Sequence, residues 1–360
     1  MSAQLTSQHS INPNNIDLFS YAEQLELSEL HVKSDPKVGL QAIVAIHNTA
    51  RGPALGGCRW IEYPNSLAAF KDAMRLAQGM SYKAAMADLP LGGGKAVLIR
   101  PKHIDDHRAY FEAFGDFVND LGGRYITAAD SGTGYVEMDI IATKTKYVTG
   151  TSADDGDPSP STAWGVLKSI EAIIKFKFNR DSLENLHIAI QGVGHVGYHL
   201  AKFLHESGVK LTIADVKSEN VERCIKEFAA VAVAPEIIHE VECDVFAPCA
   251  LGAIINDKTI TKLKTKIIAG AANNQLAESR HGDELYKQGI LYAPDYVINA
   301  GGLIRVFADY NKSPHTEYQP QINNIYNTLM NVLERSEQEQ VSTHKIADTI
   351  ARERLIFTSK

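Results

Sequence analysis

Only four cysteines stand among the 360 residues (Cys58, Cys224, Cys243 and Cys249), and no two of them share a Cys-x-x-Cys spacing. That scarcity leaves no disulfide framework and no visible structural zinc site, and it fits reduced thiols in a cytoplasm. Long apolar runs are also missing: no segment reaches the roughly 18 uninterrupted apolar residues of a membrane span. The polar, Ser/Asn-rich stretch from Met1 to about Asn15 lacks both the basic and the apolar region of a secretion signal, and it reads as a flexible tail on a cytosolic protein. Charge of one sign is never concentrated. A formal net charge of -7, spread without runs, offers no footprint for nucleic acid or an anionic membrane surface. Internal repeats and low-complexity tracts are absent as well.

The chain does have the length for two full cores, at ~100–200 residues per domain. Alternating and apolar runs (Leu40 to Ile46, Ala96 to Ile99, Tyr125 to Ala128) interleave with helical patterns (Leu67 to Met80, Ala109 to Leu121, Val136 to Thr145), which predicts an N-terminal α/β domain over residues 1–150. Ser66 is the expected N-cap of the first of these helices, and its stripe Phe70, Ala73, Met74 and Ala77 is expected to be core packing. The turn-rich segment Thr151 to Pro160 marks a crossing into a second domain over 151–340, with a cleft between the two. A C-terminal helix, about 341–360 with Ile346, Ile350 and Leu355 on its apolar side, is expected to pack back on the first domain.

Two lysines draw attention because each sits beside backbone stripped of side chains: Lys83 in Gly79-Met80-Ser81-Tyr82-Lys83, and Lys95 after Gly92-Gly93-Gly94. A solubilising lysine needs no such run, whereas one that meets a small ligand in a cleft benefits from close backbone approach and partial desolvation. The competing reading is a Gly-rich turn that leads into the strand Ala96 to Ile99 with a solvated lysine at its edge.

The second domain opens with a strand, Ile188-Ala189-Ile190, that runs into Gly192-Val193-Gly194-His195-Val196-Gly197 and then into a helical pattern from Tyr198 to Glu206. Placed between strand and helix, the three glycines serve in turn the tight turn, the backbone approach to a pyrophosphate, and close helix–strand packing. A second strand, Leu211 to Ala214, ends in Asp215, ~20 residues on, where a carboxylate accepts from an adenosine ribose and repels a 2′-phosphate. NAD is therefore expected over NADP, in a Rossmann-type doubly wound domain. The strand-like segments Asp244 to Ala247 and Lys266 to Ala269 end in small-residue loops containing Cys249, Ala250, Ala269, Gly270, Ala271 and Asn273. Those loops and Asn299 in Asn299-Ala300-Gly301-Gly302 belong to the edge that lines a dinucleotide crevice.

Together these motifs resemble one family across nearly the whole chain: the amino acid dehydrogenases that act on glutamate, leucine, phenylalanine and valine, and within it the leucine dehydrogenase branch. The resemblance rests on Pro53-Ala54-Leu55-Gly56-Gly57-Cys58-Arg59, the two lysine motifs, Tyr125-Ile126-Thr127-Ala128-Ala129-Asp130, Asp157-Pro158-Ser159-Pro160, Ala269 to Leu276 and Pro294 to Gly302. It implies NAD-dependent oxidative deamination of an L-amino acid to a 2-oxo acid and ammonia, reversibly, by a homo-oligomer. It also implies roles. Lys83 grips the substrate carboxylate, Lys95 is the general base, and Asp130 is its acidic partner. Thr162 holds the nicotinamide carboxamide, while Gly56, Thr149 and Asn299 lie beside substrate and cofactor. A base near neutrality needs a lysine well below its ordinary pKa of ~10.4, which burial and a nearby cation favour.

For the side-chain pocket, Leu55 stands where glutamate-specific relatives are expected to carry a lysine, which disfavours glutamate. Ala128, Ile322 and Ile325, the last two on a helix expected over Gln319 to Leu329, suggest a branched aliphatic substrate: leucine, with valine and isoleucine. Three departures keep phenylalanine or tryptophan open. They are Ala129-Asp130-Ser131-Gly132 for Glu-Asp-Val-Gly, the short linker, and Arg305-Val306-Phe307 for Asn-Val-Ala. A catalytically silent dinucleotide sensor is the alternative of another class, against which the intact Lys83, Lys95 and Asp130 argue. His103 and His107 have metal-like spacing but follow Pro101 and read as a solvated helix start, and no metal is expected. Closure of the two domains over the cleft is expected from the need to exclude water.

Overall fold

The computed structural model describes residues 17–154, 156–250 and 252–356. The N-terminal stretch read as a tail lies outside the described residues, as do Asp155, Leu251 and 357–360.

A first sheet contains β1 (Glu29–Asp35), β2 (Leu40–Asn48), β3 (Ala54–Ile61), β4 (Gly92–Ile99) and β5 (Tyr125–Ala129), in the order β1-β2-β4-β3-β5. β2 pairs antiparallel with β1 and β4, and β3 runs parallel to β4 and β5. Around it lie α1 (Leu18–Gln24), α2 (Ser66–Met86), α3 (His107–Asp120) and α4 (Tyr135–Ala142). β2 is apolar along most of its length because both faces are covered. Ala42, Val44 and Ile46 share a cluster with Phe111 and Phe114 of α3, and Ile43 and Ala45 one with Ala73, Met74 and Ala77 of α2.

Two local expectations are corrected here. Asn65, not Ser66, caps α2: its side chain accepts from the Ala68 N–H at 2.9 Å, and Ser66 becomes the first helical residue. The glycines 92–94 are not a turn before the strand but its first three residues. A Cβ on Gly92 would sit 1.9 Å from the Asn48 carbonyl oxygen, on Gly93 2.0 Å from the Ser81 amide nitrogen, and on Gly94 2.8 Å from the Tyr125 ring. Bare backbone thus lets α2 and β5 approach β4 more closely than any side chain permits.

The second sheet is wholly parallel: β6 (His187–Gln191), β7 (Lys210–Ala214), β8 (Val231–Ala232), β9 (Cys243–Pro248), β10 (Thr265–Ile268) and β11 (Leu291–Tyr292), in the order β11-β10-β9-β6-β7-β8. From β6 the chain builds outward through β7 and β8, then returns to β9 on the other side, so the strand order reverses between β6 and β9. Ile188 and Ile190 face α5 (Ser159–Phe178) and α6 (His195–Glu206), and Ala189 faces the opposite cluster around Phe246 and Ile268. The fold is a two-part α/β architecture with a Rossmann-type second half.

The remaining helices are α7 (Ser218–Phe228), α8 (Ser279–Lys287), α9 (Asp295–Ile298), α10 (Gly301–Asn311), α11 (His315–Asn323), α12 (Ile325–Glu339) and α13 (Thr343–Ile356). The single helix expected over Gln319 to Leu329 is two, divided at Asn324, whose side-chain oxygen accepts from Asn327 Nδ2 at 2.8 Å at the start of α12. α13 reaches α2: Arg352 Nε donates to the Tyr82 hydroxyl at 2.8 Å, and Arg354 Nη1 to the carbonyls of Ala85 and Met86 at 3.0 Å each. Tyr82, Ala85 and Met86 consequently join the core of the second half, which is why α2 continues past Met80. Among the described residues, no helix is long and apolar enough to cross a membrane.

Candidate active site

A cleft of about 270 Å³ opens between the two halves. Three elements of the first sheet region supply polar side chains to it: α2 brings Lys83, β4 brings Lys95, and the end of β5 brings Asp130. Lys95 Nζ lies 2.6 Å from Asp130 Oδ2; Lys95 is 6 % exposed and shielded from bulk water, while the Asp130 side chain keeps 24% of its surface open to the cleft. Arg59 Nε approaches the same oxygen at 3.1 Å. Burial raises the Asp130 carboxyl, but Lys95 and Arg59 outweigh it and hold the group below its usual range. Gly57 makes this approach possible, because a Cβ there would sit 2.8 Å from the Asp130 Cβ. Gly56 is packed in the same way against the Gly94 carbonyl, at 1.7 Å from a Cβ.

Lys83 Nζ donates to Asn273 Oδ1 at 3.2 Å, across the cleft. Burial pushes its ammonium down to about 8, against the pull of the Asp295 carboxylate and with a smaller push from Lys95. Asn273 Oδ1 also accepts from Asn299 Nδ2 at 2.8 Å, and that amide donates again to the Ala271 carbonyl at 3.0 Å. Asn299 is 4 % exposed, and among the described residues its buried Oδ1 has no hydrogen-bond partner. Asn299 is thus a buried support for Asn273, which lines the cleft.

The apolar part of the lining is Leu55, Leu76, Met80, Ala128, Leu303 and Val306. Ile322 and Ile325 are not on this lining. They are buried behind it, in the cluster that contains Leu55, Leu303 and Ile304. Thr149 is also off the lining; it is 1 % exposed, and its hydroxyl donates to the Val306 carbonyl at 3.4 Å. Thr162 donates to the Pro158 carbonyl at 3.1 Å and stands against Gly302, where a Cβ would meet its Oγ1 at 2.5 Å. Arg59, Asp295, Leu303 and Val306 carried no individual role in the sequence reading. The signal for the last two was available, since they lie three apart at the start of the helix that follows Asn299-Ala300-Gly301-Gly302.

The nucleotide side is built at the carboxyl ends of β6, β7, β9 and β10, where the strand order reverses. Gly192 has φ +87°, which an L side chain rarely adopts. A Cβ on Gly194 would meet nothing within 4 Å, so this backbone at the head of α6 faces open space, and a Cβ on Gly197 would lie 1.9 Å from the Gly192 carbonyl oxygen. Val193 is buried and its N–H donates to Asp215 Oδ2 at 2.9 Å; Asp215 Oδ1 accepts from the Lys217 N–H at 2.9 Å. His195 is exposed with Nδ1 3.7 Å from Asp157, and Val196 packs against the core. Ala250 packs on Gly192, Cys249 Sγ accepts from the Ala271 N–H at 3.5 Å, and Gly270 closes on Pro248, with a Cβ 2.2 Å from its carbonyl oxygen. Ala269 is fully buried where β10 ends. An open glycine at a helix N-terminus, a strained glycine turn and a carboxylate at the end of the next strand suit a dinucleotide.

His103 and His107 take separate partners, Asp105 at 3.0 Å and Glu137 at 3.1 Å. Among the described residues no cluster of three or more His, Cys, Asp or Glu side chains is placed to hold a metal.

Comparison with known proteins agrees with this geometry. Residues 26–147 match the model of the Glu/Leu/Phe/Val dehydrogenase dimerisation domain, and residues 212–357 match that of the Glutamate/Leucine/Phenylalanine/Valine dehydrogenase domain. The chain is 48% identical over 343 residues to the leucine dehydrogenase of Bacillus subtilis, covering 94% of each protein. It is 43% identical to an L-tryptophan dehydrogenase of Nostoc punctiforme, over 88% of this chain and 90% of that one. The crystal structure of L-tryptophan dehydrogenase from Nostoc punctiforme superposes with a TM-score of 0.85 at 39% identity, covering 94% of this chain and 99% of that one. A hetero-hexameric glutamate dehydrogenase from Thermus thermophilus shares the fold at a TM-score of 0.76 and 21% identity, over 97% of this chain and 92% of the other. The cleft, the lysine pair and the glycine turn thus belong to an amino acid dehydrogenase: the chain is a member of the Glu/Leu/Phe/Val dehydrogenase family.

Proposed function

We propose that this protein catalyses the NAD-dependent oxidative deamination of branched-chain L-amino acids, leucine first, to the 2-oxo acid and ammonia, and the reverse reductive amination. The observation that carries this reading is a single cleft whose lining combines Lys83, Lys95 and Asp130, backed by Arg59 and Asp295, with the aliphatic side chains of Leu55, Leu76, Leu303 and Val306. The first 150 residues carry the substrate and residues 151–340 the nucleotide. NAD, when bound along the Gly192–Gly197 turn, supplies the acceptor for the hydride lost from the substrate Cα. Lys83 holds the α-carboxylate. Lys95 acts as base, first toward the amine and then toward the water that adds to the imine carbon, and Asp130, 2.6 Å away, shares those protons. Asn299 lies beside substrate and cofactor, where its amide fixes Asn273 and Ala271. Thr162, on the far side of Gly302, orients the nicotinamide. The protein works as a homo-oligomer in the cytoplasm.

Leu55 decides against glutamate, whose distal carboxylate would be desolvated against Leu55, Leu303 and Val306 without a cation. Phenylalanine or tryptophan is the second reading, favoured by the likeness to the tryptophan enzyme and by the departures at Ala129 to Gly132, in the short linker and at Arg305 to Phe307. NADH formation with leucine, valine, phenylalanine, tryptophan and glutamate in parallel separates the two. The proposal expects kcat/KM for leucine at least about tenfold above the aromatic substrates, the discrimination an apolar pocket supplies. An aromatic preference contradicts the substrate assignment and leaves the reaction standing.

The role of Lys83 predicts a pH dependence. Its ammonium form, present below about 8, is the form that binds a carboxylate. Affinity for 4-methylpentanoate, which has no amino group of its own to titrate, is therefore flat below that value and falls about tenfold per pH unit above it. Calorimetric titration from pH 6.5 to 9.5 reads this directly, and an affinity that stays level or rises through pH 9 removes Lys83 from carboxylate binding.

NAD preference rests on Asp215. Replacing it (Asp215→Ser) removes the charge that repels a 2′-phosphate, and the ratio of kcat/KM for NAD to that for NADP is expected to fall by about tenfold or more. An unchanged ratio would show that another group excludes NADP.

A further inference from the structure

Asp130 is not held by Lys95 alone. Arg59 donates through Nε to Asp130 and through Nη1 to Asp72 Oδ2, at 3.1 and 2.8 Å, so one guanidinium bridges the two carboxylates. The Tyr63 hydroxyl donates to the same Asp72 oxygen at 2.7 Å. The other oxygen, Oδ1, accepts from Arg75 Nη2 at 3.0 Å, and Arg75 Nη1 donates across the cleft to Asn274 Oδ1 at 3.2 Å. A continuous chain of charge-assisted hydrogen bonds therefore runs from the Lys95–Asp130 pair to the loop after β10 in the other half of the molecule. Asn274 is the neighbour of Asn273, which accepts from Lys83.

We propose that Asp72 is a positioning residue that couples closure of the cleft to the orientation of the Asp130 carboxylate. The inference rests on the assignment of Asp130 to proton transfer. Arginine's planar fork fixes direction as well as distance, so the side chain of Arg59 can be aimed at Asp130 only while its second edge is held by Asp72. The Asp72 side chain is 16% exposed and that of Arg59 21%, which makes this more than a solvated surface pair. Arg75, at 47% exposure, is the outer limb. When the second half moves away, Asn274 releases Arg75. Arg75 can then draw Asp72 outward, and the support of Arg59 for Asp130 loosens. The catalytic pair is in this way fully ordered only when the nucleotide loop is in place, as the need to keep water from a half-finished reaction demands.

The test uses Asp72→Asn, which keeps the size and removes the charge, together with Asp72→Glu and Asn274→Ala. The groups facing Asp130 are Lys95 on β4, Arg59 and Cys58 on β3, Lys83 on α2 and Tyr125 on β5. Of these, only Arg59 is bonded to Asp72, so Asp72→Asn acts on Asp130 through Arg59, with the outer contacts of Tyr63 and Arg75 weakened as well. The expected result is a kcat at least about tenfold lower, with the acid limb of the pH–rate profile moved up by about one pH unit, and partial recovery of both in Asp72→Glu. Asn274→Ala lowers kcat in the wild-type background and adds nothing in Asp72→Asn, the signature of residues acting in one chain. A wild-type pH profile in Asp72→Asn, or full additivity of the two changes, overturns the proposal. Carboxyl NMR of Asp130 in isotopically labelled protein, with Asp130→Asn as the assignment control, tests the same coupling without turnover. Its titration moves up in Asp72→Asn if the coupling holds and stays in place if it does not, whichever substrate the wild type accepts.

Discussion

Lys95→Met abolishes turnover, lowering kcat by about three orders of magnitude, while the protein keeps its fold and still binds NADH. The expected size follows from the contribution of a positioned acid–base group, ~10²–10⁴. The binding prediction follows from geometry: Lys95 lies on β4 of the first sheet, and the glycine turn that faces the nucleotide lies on β6 and α6 of the second. Methionine fills the space of the lysine stem without its charge. What it leaves behind is Asp130 with Arg59 as its remaining close cation, and because Lys95 is the larger pull against burial, the Asp130 carboxyl moves up while Arg59 still holds it. Stopped-flow measurement of hydride transfer beside NADH fluorescence titration separates the two effects. A variant that loses NADH binding and turnover together would point to a structural role for Lys95.

Gly93→Ala is the second large effect, and it acts through structure. The added Cβ would lie 2.0 Å from the Ser81 amide nitrogen and 2.5 Å from its Cα, so backbone and not a flexible side-chain end must give way. α2 has to lift off β4. Ser81 precedes Lys83 by two residues and Gly93 precedes Lys95 by two, so the displacement falls on the segment that sets the two lysines against each other. Overpacking of this kind typically costs ~1–3 kcal/mol in a core that can adjust, and backbone contact permits little adjustment. The expected outcome is a clear drop in Tm, with the residual folded fraction impaired in both substrate affinity and kcat. Gly79→Ala is the control for stability: a Cβ there meets nothing within 4 Å and enters the cleft. Equal behaviour of the two variants in thermal melts would remove this account of the glycine run.

These two cases show what the sequence could and could not convey. Gly92, Gly93 and Gly94 were legible as a sign that Lys95 has an unusual setting, but a glycine run carries no period, so the pattern marks a strand only from Ala96 and the run reads as a turn before it. The third dimension decides, because the neighbours that forbid a side chain, Asn48, Ser81 and Tyr125, come from β2, α2 and β5. The Rossmann half was more legible, since strand, glycine turn, helix and acidic strand end follow one another locally between Ile188 and Asp215. The apolar wall was only partly so. Leu55 and Ala128 sit in recognisable motifs, whereas Leu303 and Val306 lie on a helix whose facing depends on how the halves meet. The family resemblance alone assigns Ile322 and Ile325 to the pocket, and it does not tell a lining residue from one packed directly behind it, where both lie. The Asp72 chain was invisible for the same reason: Arg59, Asp72, Arg75 and Asn274 are brought together from separate elements, and in sequence its charged members look like ordinary surface charges.

The central claim is most directly tested by a product balance. With leucine and NAD, the account predicts equal amounts of NADH, ammonia and 4-methyl-2-oxopentanoate, all three absent in Lys95→Met. NADH formed without ammonia, or no turnover of any L-amino acid by the wild type, would contradict it.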